Sequence, residues 1–168
     1  MNNQLGLNII RFVFLLLIQV LISNNILLFG LVNPYIYIIF ILIYSINTER
    51  WQFLLSSFLL GLILDIFENT GGAHATACLI IAFLRPVILQ TCFGLNYIHQ
   101  NLKISKADYK GLLLYVTIMC TTHHLILFTL QVFELGHIQY ILLQTLFSSL
   151  FSIVIILISL SLLSNKTS

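Results

Sequence analysis

Asp65, His74, Arg85, His123 and His124 stand within or at the edge of long apolar stretches of the chain. Inside a bilayer an ionisable side chain is disfavoured by at least ~2.5 kcal/mol on insertion scales, which makes each of them a candidate for function. Ser57, Gly61 and Asp65 are spaced four apart, and residues at that spacing stack on one helix face. Two small residues followed by an acid let another backbone approach closely and offer it a hydrogen-bond acceptor. The stripe, with Glu68 beyond it, could line a ligand site or an internal helix–helix contact; packing is the reading adopted here. Asn69-Thr70-Gly71-Gly72 then turns the chain, the paired glycines suiting positive φ. Ala73-His74-Ala75-Thr76-Ala77 follows with small residues again. His74 and Asp65 flank one tight turn, so a hydrogen bond between them is expected to fix the hairpin.

Arg85 shares a helix face with His74, Cys78 and Ile81. At 1.5 Å per residue it lies ~18 Å from the helix start at Ala73, too deep to reach Asp65. Two fates are open to it: the guanidinium snorkels to the headgroups, or it meets a buried partner such as a carbonyl freed by Pro86. Thr121-Thr122-His123-His124 lies near the middle of another apolar run. Adjacent histidines point about 100° apart and cannot share a metal as an i, i+4 pair does. Thr117, Thr121 and His124 share one face while His123 points to another, which calls for protein rather than lipid around this helix. A proton relay needs further partners that the spacing does not supply, and structural hydrogen bonding is expected. No GxSxG, HExxH, P-loop or DxD signature occurs, so no catalytic nucleophile, metal or cofactor site is marked. Cys78, Cys92 and Cys120 form no CxxC pair and read as thiols buried in apolar runs.

The elements that must position these residues follow from composition. The chain has 168 residues, 60% of them hydrophobic, with seven Lys+Arg and five Asp+Glu; its mean hydropathy is +1.06. An average soluble domain of this length would carry roughly 42 charges. So few charges exclude a soluble enzyme, a nucleic-acid-binding domain and a disordered chain. Unbroken apolar runs such as Phe12–Ile18, Ile36–Ile43 and Ile153–Leu163 lack the alternation of a barrel strand. In lipid such runs must be helical, because no water is there to satisfy the backbone.

At about 20 apolar residues per crossing, the expected architecture is one all-α membrane domain over residues 1–168, a bundle of six transmembrane helices. The spans fall at about 5–22, 32–46, 51–67, 73–93, 111–133 and 139–163. The first resembles a signal peptide, but no A-x-A cleavage site follows it, and it is read as an uncleaved span. Asn33-Pro34 opens the second, with Pro34 in the first helical turn; this span is short, and Ile26–Gly30 is read as an interfacial segment before it. With a cytoplasmic N-terminus, Arg50, Lys103, Lys106, Lys110 and Lys166 fall on the inner side. Asn24, Asn25, Glu68, Glu134 and His137 fall on the outer side. This split obeys the positive-inside rule and puts both termini in the cytoplasm. The 94–110 connection, with three lysines, is read as a topology signal and linker, since lipid-binding clusters hold four to eight basic residues.

The order and spacing of these features resemble a known family. Gly61-Leu-Ile-Leu-Asp65-Ile-Phe-Glu-Asn-Thr-Gly71-Gly72-Ala-His74-Ala75 lies between Asn33-Pro34-Tyr35-Ile36-Tyr37 and Ala82-Phe83-Leu84-Arg85-Pro86. With His123-His124 and Leu127-Phe128 further on, the chain looks like MreD, the small membrane subunit of the bacterial rod-shape (elongation) system. The resemblance extends over essentially the whole chain, and the Gly–Asp–turn–small-residue hairpin is its strongest part. It implies a non-enzymatic scaffold of the cytoplasmic (inner) membrane, without cofactor. That scaffold would bind the transmembrane helix of MreC, contact RodA and its transpeptidase partner, connect indirectly to MreB, and support lateral peptidoglycan synthesis and cell shape.

Helix packing or the partner interface would then fall to Ser57, Gly61, Asp65, His74, Ala75, Arg85, His123 and His124. The turns and helix starts would fall to Asn33, Pro34, Gly71 and Gly72. The family also resembles the substrate-binding subunits of energy-coupling-factor vitamin transporters in its six-helix arrangement. A small-molecule-binding transport subunit is therefore the rival expectation, although no large extracytoplasmic loop is present to close over a pocket.

Overall fold

The computed structural model describes residues 2–23, 26, 33–46, 48–94, 108–133 and 135–165. Asn24, Asn25, Glu134 and Lys166 lie outside the described residues, as do residues 27–32 of the expected interfacial segment and helix start. The same holds for residues 95–107 of the long connection, Lys103 and Lys106 among them. The described residues are mostly helical, with no strand among them: α1 (Asn2–Leu21), α2 (Ile38–Ile43), α3 (Arg50–Glu68), α4 (Ala73–Phe93), α5 (Tyr109–Val132) and α6 (Ile138–Asn165), with a 3-10 turn at Leu135–His137. Four of these, α3 to α6, are long and apolar enough to cross a membrane, and α1 has a shorter apolar stretch at Leu5–Leu21. The chain is a multi-pass helical membrane protein.

Helices α3, α4, α5 and α6 pack in chain order, each against the next, and α1 and α2 lean on this row. Their outward faces are apolar. On α6, Leu142, Leu146, Leu150, Val154 and Ile158 form an exposed row at every fourth position, the face that lipid or another apolar helix covers. The inward faces carry the polar residues: Ser57, Asp65, His74, Arg85, His123, His124, Ser148 and Ser152 are all buried.

The second span departs from expectation. A helix over residues 32–46 was expected, yet only Ile38–Ile43 is helical. Pro34 does not open that helix; it precedes it by four residues, in non-helical backbone. The physical reason is that the flanking peptide groups are claimed by side chains from other helices, so they need no helical partners. At about 1.5 Å per helical and up to about 3.4 Å per extended residue, the 33–46 segment can still reach across ~30 Å of hydrocarbon. Every residue of the run from Ile38 to Leu42 is buried, which is the condition for broken helix at membrane depth.

Candidate functional site

The polar interior is built in three connected parts, and the α3–α4 hairpin is the first. Helix α3 ends on Asn69 in the left-handed region, with the Asn69 N–H bonded to the Asp65 carbonyl. Gly71 and Gly72 follow at φ 62° and 96°, values that an L side chain resists and glycine does not. This left-handed run brings the start of α4 back over the end of α3. The Asp65 carboxylate accepts from the backbone N–H of His74 at 2.9 Å and of Ala75 at 2.8 Å, and from the Thr70 hydroxyl. One carboxylate thus satisfies two of the orphan amides at the N-terminus of α4, where the helix dipole also favours negative charge. The expected bond between Asp65 and His74 is present through the main chain, and the imidazole turns elsewhere.

Gly61 explains how close the two helices come. A Cβ built on it would lie 2.5 Å from the His74 carbonyl oxygen and 2.6 Å from the Cα and N of Ala75, a separation no side chain can occupy. Ser57, one turn earlier, is buried and donates to the Phe53 carbonyl of its own helix at 2.8 Å. The small face of α3 is therefore turned onto α4 within this chain.

The second part holds α2 at both ends. At its start the Gln19 side chain on α1 accepts from the N–H of Ile36 at 2.9 Å and of Tyr37 at 3.4 Å. Its amide nitrogen donates to the Pro34 carbonyl at 3.2 Å. Ser152 on α6 accepts from the Tyr35 N–H at 3.0 Å. At the other end Arg85 reaches the carbonyls of Leu42 at 3.1 Å and Tyr44 at 2.7 Å, and its Nε donates to the Tyr115 hydroxyl at 3.0 Å. The Phe53 ring lies 5.1 Å from the guanidinium carbon, a cation–π distance. Of the two fates open to Arg85, the structure selects the buried partner. Those partners are the terminal carbonyls of α2 and its flank, not carbonyls freed by Pro86. A cation at the negative end of a short helix also complements its dipole.

The third part joins the other two. Tyr37 places its hydroxyl 2.7 Å from Nδ1 of His74 and 2.9 Å from Nε2 of His123. Nε2 of His74 lies 3.0 Å from the Glu68 carboxyl. If Nε2 of His74 donates to Glu68, its Nδ1 must accept from the Tyr37 hydroxyl, whose oxygen then accepts from Nε2–H of His123. This order leaves Nδ1 of His123 as a buried lone pair with no partner among the described residues. The Cys78 sulfur stands 4.0 Å from Nε2 of His123, at the edge of a weak contact. His124 belongs to another line: Nδ1 bonds the Cys120 carbonyl at 2.6 Å, and Nε2 faces Ser152 at 3.4 Å. The Tyr35 ring lies between both lines, 5.0 Å from His124, 5.9 Å from His74 and 6.5 Å from His123.

The two adjacent histidines thus diverge to separate partners, as their angular spacing requires, while Thr121 is exposed and does not join the buried face of His124. Chemically, the Glu68–His74–Tyr37–His123 line is a hydrogen-bonded tie through the hairpin, α2 and α5. Sequence reasoning missed Gln19, Tyr37, Tyr115 and Ser152. For Gln19 a signal existed: it is the only amide in the apolar half of α1, and a lone polar residue at membrane depth needs a partner. Asn33 and Pro34 sit in the non-helical approach to α2. No protein-family model, curated protein or solved structure matches the chain.

Proposed function

We propose that this chain is a non-enzymatic scaffold of the bacterial elongation system, of the MreD kind, in the cytoplasmic membrane. In this reading it crosses six times with both termini inside, the broken 33–46 segment making the second crossing. It binds the MreC transmembrane helix, meets RodA and its transpeptidase partner, connects indirectly to MreB, and supports lateral peptidoglycan synthesis and cell shape.

One observation supports it most. The residues that carry the resemblance between Gly61 and Ala75 form one interlocked unit: Asp65 ties the start of α4 through the His74 and Ala75 amides, and Gly61 admits the His74–Ala75 backbone at contact distance. Such a unit makes a rigid frame, and rigid frames with apolar outer faces suit the holding of another membrane helix. The small and polar faces are covered within the chain, so the partner helix is assigned to the outward row of α6.

The test is co-purification with MreC and cell shape. Asp65→Leu should weaken capture of MreC and round the cells, whereas Lys106→Gln should leave both unchanged. Single cysteines at Leu146, Leu150 and Val154 should crosslink to one MreC helix. Normal shape and full MreC recovery with Asp65→Leu would refute the scaffold reading.

A further inference from the structure

The Glu68–His74–Tyr37–His123 line has an open end and a blind end. At the α3–α4 turn 17% of the Glu68 side chain is exposed, while the His74 side chain beside it is fully buried. At the far end Nδ1 of His123 is buried without a partner among the described residues, and the line stops there. Three contacts connect the ends: 3.0 Å from Glu68 to Nε2 of His74, 2.7 Å from Nδ1 of His74 to the Tyr37 hydroxyl, and 2.9 Å from that hydroxyl to Nε2 of His123. With Glu68 ionised and both rings neutral, donors and acceptors match at every contact, and every bond points toward the carboxylate.

One more proton upsets this match. An imidazolium donates from both nitrogens, so the Nδ1–H of a charged His74 must be accepted by the Tyr37 oxygen, and the Tyr37 hydrogen is displaced. With the His123 hydrogen still on Nε2, that hydroxyl hydrogen and the Nδ1 lone pair would both be unpaired. In the reverse order Tyr37 donates to Nε2 of His123, which carries its hydrogen on Nδ1, and only that N–H is unpaired. Unpaired buried groups are costly, so the reverse order wins. The balance is one proton gained from water and held by His74, while Tyr37 and His123 each keep one hydrogen. His123 exchanges its hydrogen between its two nitrogens during the local openings that admit water to buried sites.

The groups facing the line come from every helix around it. Glu68 and Asp65 of α3 face His74, on its ring and on its backbone N–H. Cys78, one turn further along α4, faces His123, and Tyr35 stands between His74, His123 and His124. Tyr140 of α6 acts on Tyr35. No lysine or arginine is among these groups. Asp65 already accepts from Thr70, His74 and Ala75, which leaves the Glu68–His74 pair to take a proton. A proton on Glu68 alone would leave its second oxygen accepting from His74 as before, so the His74 ring is the site that matters. We propose that this line is a proton-operated switch: uptake of one proton by His74 at the α3–α4 turn reverses the Tyr37–His123 bond and moves the His123 hydrogen from Nε2 to Nδ1. The state of the turn is thereby carried to α2 and α5. The switch does not rest on the scaffold reading, since it uses no partner and no outer helix face.

The full chain, isotope-labelled on its histidine ring nitrogens and held in phosphatidylcholine nanodiscs, is followed by ring-nitrogen NMR from about pH 8 to about pH 5, where histidine changes charge. Signals are assigned by single His→Gln variants. A bare ring nitrogen and a protonated one resonate far apart, so each tautomer is read directly. As the pH falls, His74 should gain a second protonated nitrogen. At the same midpoint His123 should lose its hydrogen from Nε2 and gain one on Nδ1, never carrying two. In Tyr37→Phe, which keeps the ring and removes the relay, His74 should still titrate and the His123 response should be lost. The proposal is overturned by a His74 that keeps one bare nitrogen throughout, or by a His123 whose tautomer ignores the His74 midpoint or that takes a second proton. These outcomes need no variant. Survival of the His123 response in Tyr37→Phe overturns it as well.

Discussion

The α3–α4 hairpin and the α2 segment solve one problem in two ways. Each contains buried backbone groups that its own helix does not satisfy. The hairpin satisfies them locally: Asp65 reaches amides only nine and ten residues ahead, across a turn that its own glycines shape. The α2 segment is satisfied from afar, by Gln19 on α1, Arg85 on α4, Tyr115 on α5, whose hydroxyl donates to the Leu42 carbonyl at 3.3 Å, and Ser152 on α6, the last 117 residues away from the amide it holds. The difference teaches that a broken helix in a membrane is a property of its neighbours. Its own sequence, Ile38–Ile43, is wholly apolar and would continue as helix if those side chains were withdrawn.

The largest effect should come from withdrawing the farthest-reaching tie. Arg85→Met strands the Tyr44 carbonyl, leaves the Leu42 carbonyl only the Tyr115 hydroxyl at 3.3 Å and removes three charge-assisted hydrogen bonds; with a stranded buried group at about 1–3 kcal/mol and a hydrogen bond to a charged group at about 1.5–3, a loss of roughly 3–5 kcal/mol is expected. The midpoint of unfolding in mixed detergent micelles measures it. Arg85→Lys should recover only part, because an ammonium lacks the planar fork that spans two carbonyls and a phenol. Asp65→Leu should rank next, at about 2–4 kcal/mol, for the two amides and the lost anion at a helix N-terminus. Its damage should stay local: protease cleavage should appear at residues 69–72 while Arg85→Met exposes the flanks of α2. Equal cleavage patterns for both variants would erase the distinction between the two regions. Gly61→Val should follow at about 1–3 kcal/mol by overpacking, read as lost hairpin stability with α2 still protected.

That contrast also accounts for what was legible in the sequence. The hairpin was readable because its determinants lie close together and follow local rules: small residues at spacing four, an acid, then paired glycines at a turn. Five of the six helices were likewise readable from unbroken apolar length, α4 at its full bounds of Ala73–Phe93. The second was misread because apolarity specifies burial and does not say which partners hold the backbone. Nothing near Ile38 announces that Gln19 and Ser152 will claim the amides before it. Arg85 could be seen to need a partner, but the identity of that partner depends on where α2 ends, and α2 ends there because Arg85 is present. Tyr37 was invisible for the same reason: a tyrosine in an apolar run has a hydroxyl whose use depends on three other helices.

The smallest expected effect is also the sharpest test, because Tyr37 is where the two regions meet. Its hydroxyl links His74, at the start of the capped helix, to His123 on α5. Membrane hydrogen bonds measured by double-mutant cycles average about 0.6 kcal/mol, so Tyr37→Phe alone should cost little more than that. Its consequence should lie in coupling. In the intact protein, Asp65→Asn and Gln19→Leu release the backbone amides of His74 and Tyr37, two neighbours in the hydrogen-bonded line, and together they should deviate from additivity by about 0.5–1 kcal/mol. In the Tyr37→Phe background the same pair should add within about 0.3–0.5 kcal/mol, as distant independent sites do. If the deviation survives removal of the hydroxyl, the hairpin and α2 are joined by packing of Tyr35 and the helices around it, and the polar line is incidental. If it disappears, a single phenolic oxygen makes the locally built region and the remotely held one parts of the same frame.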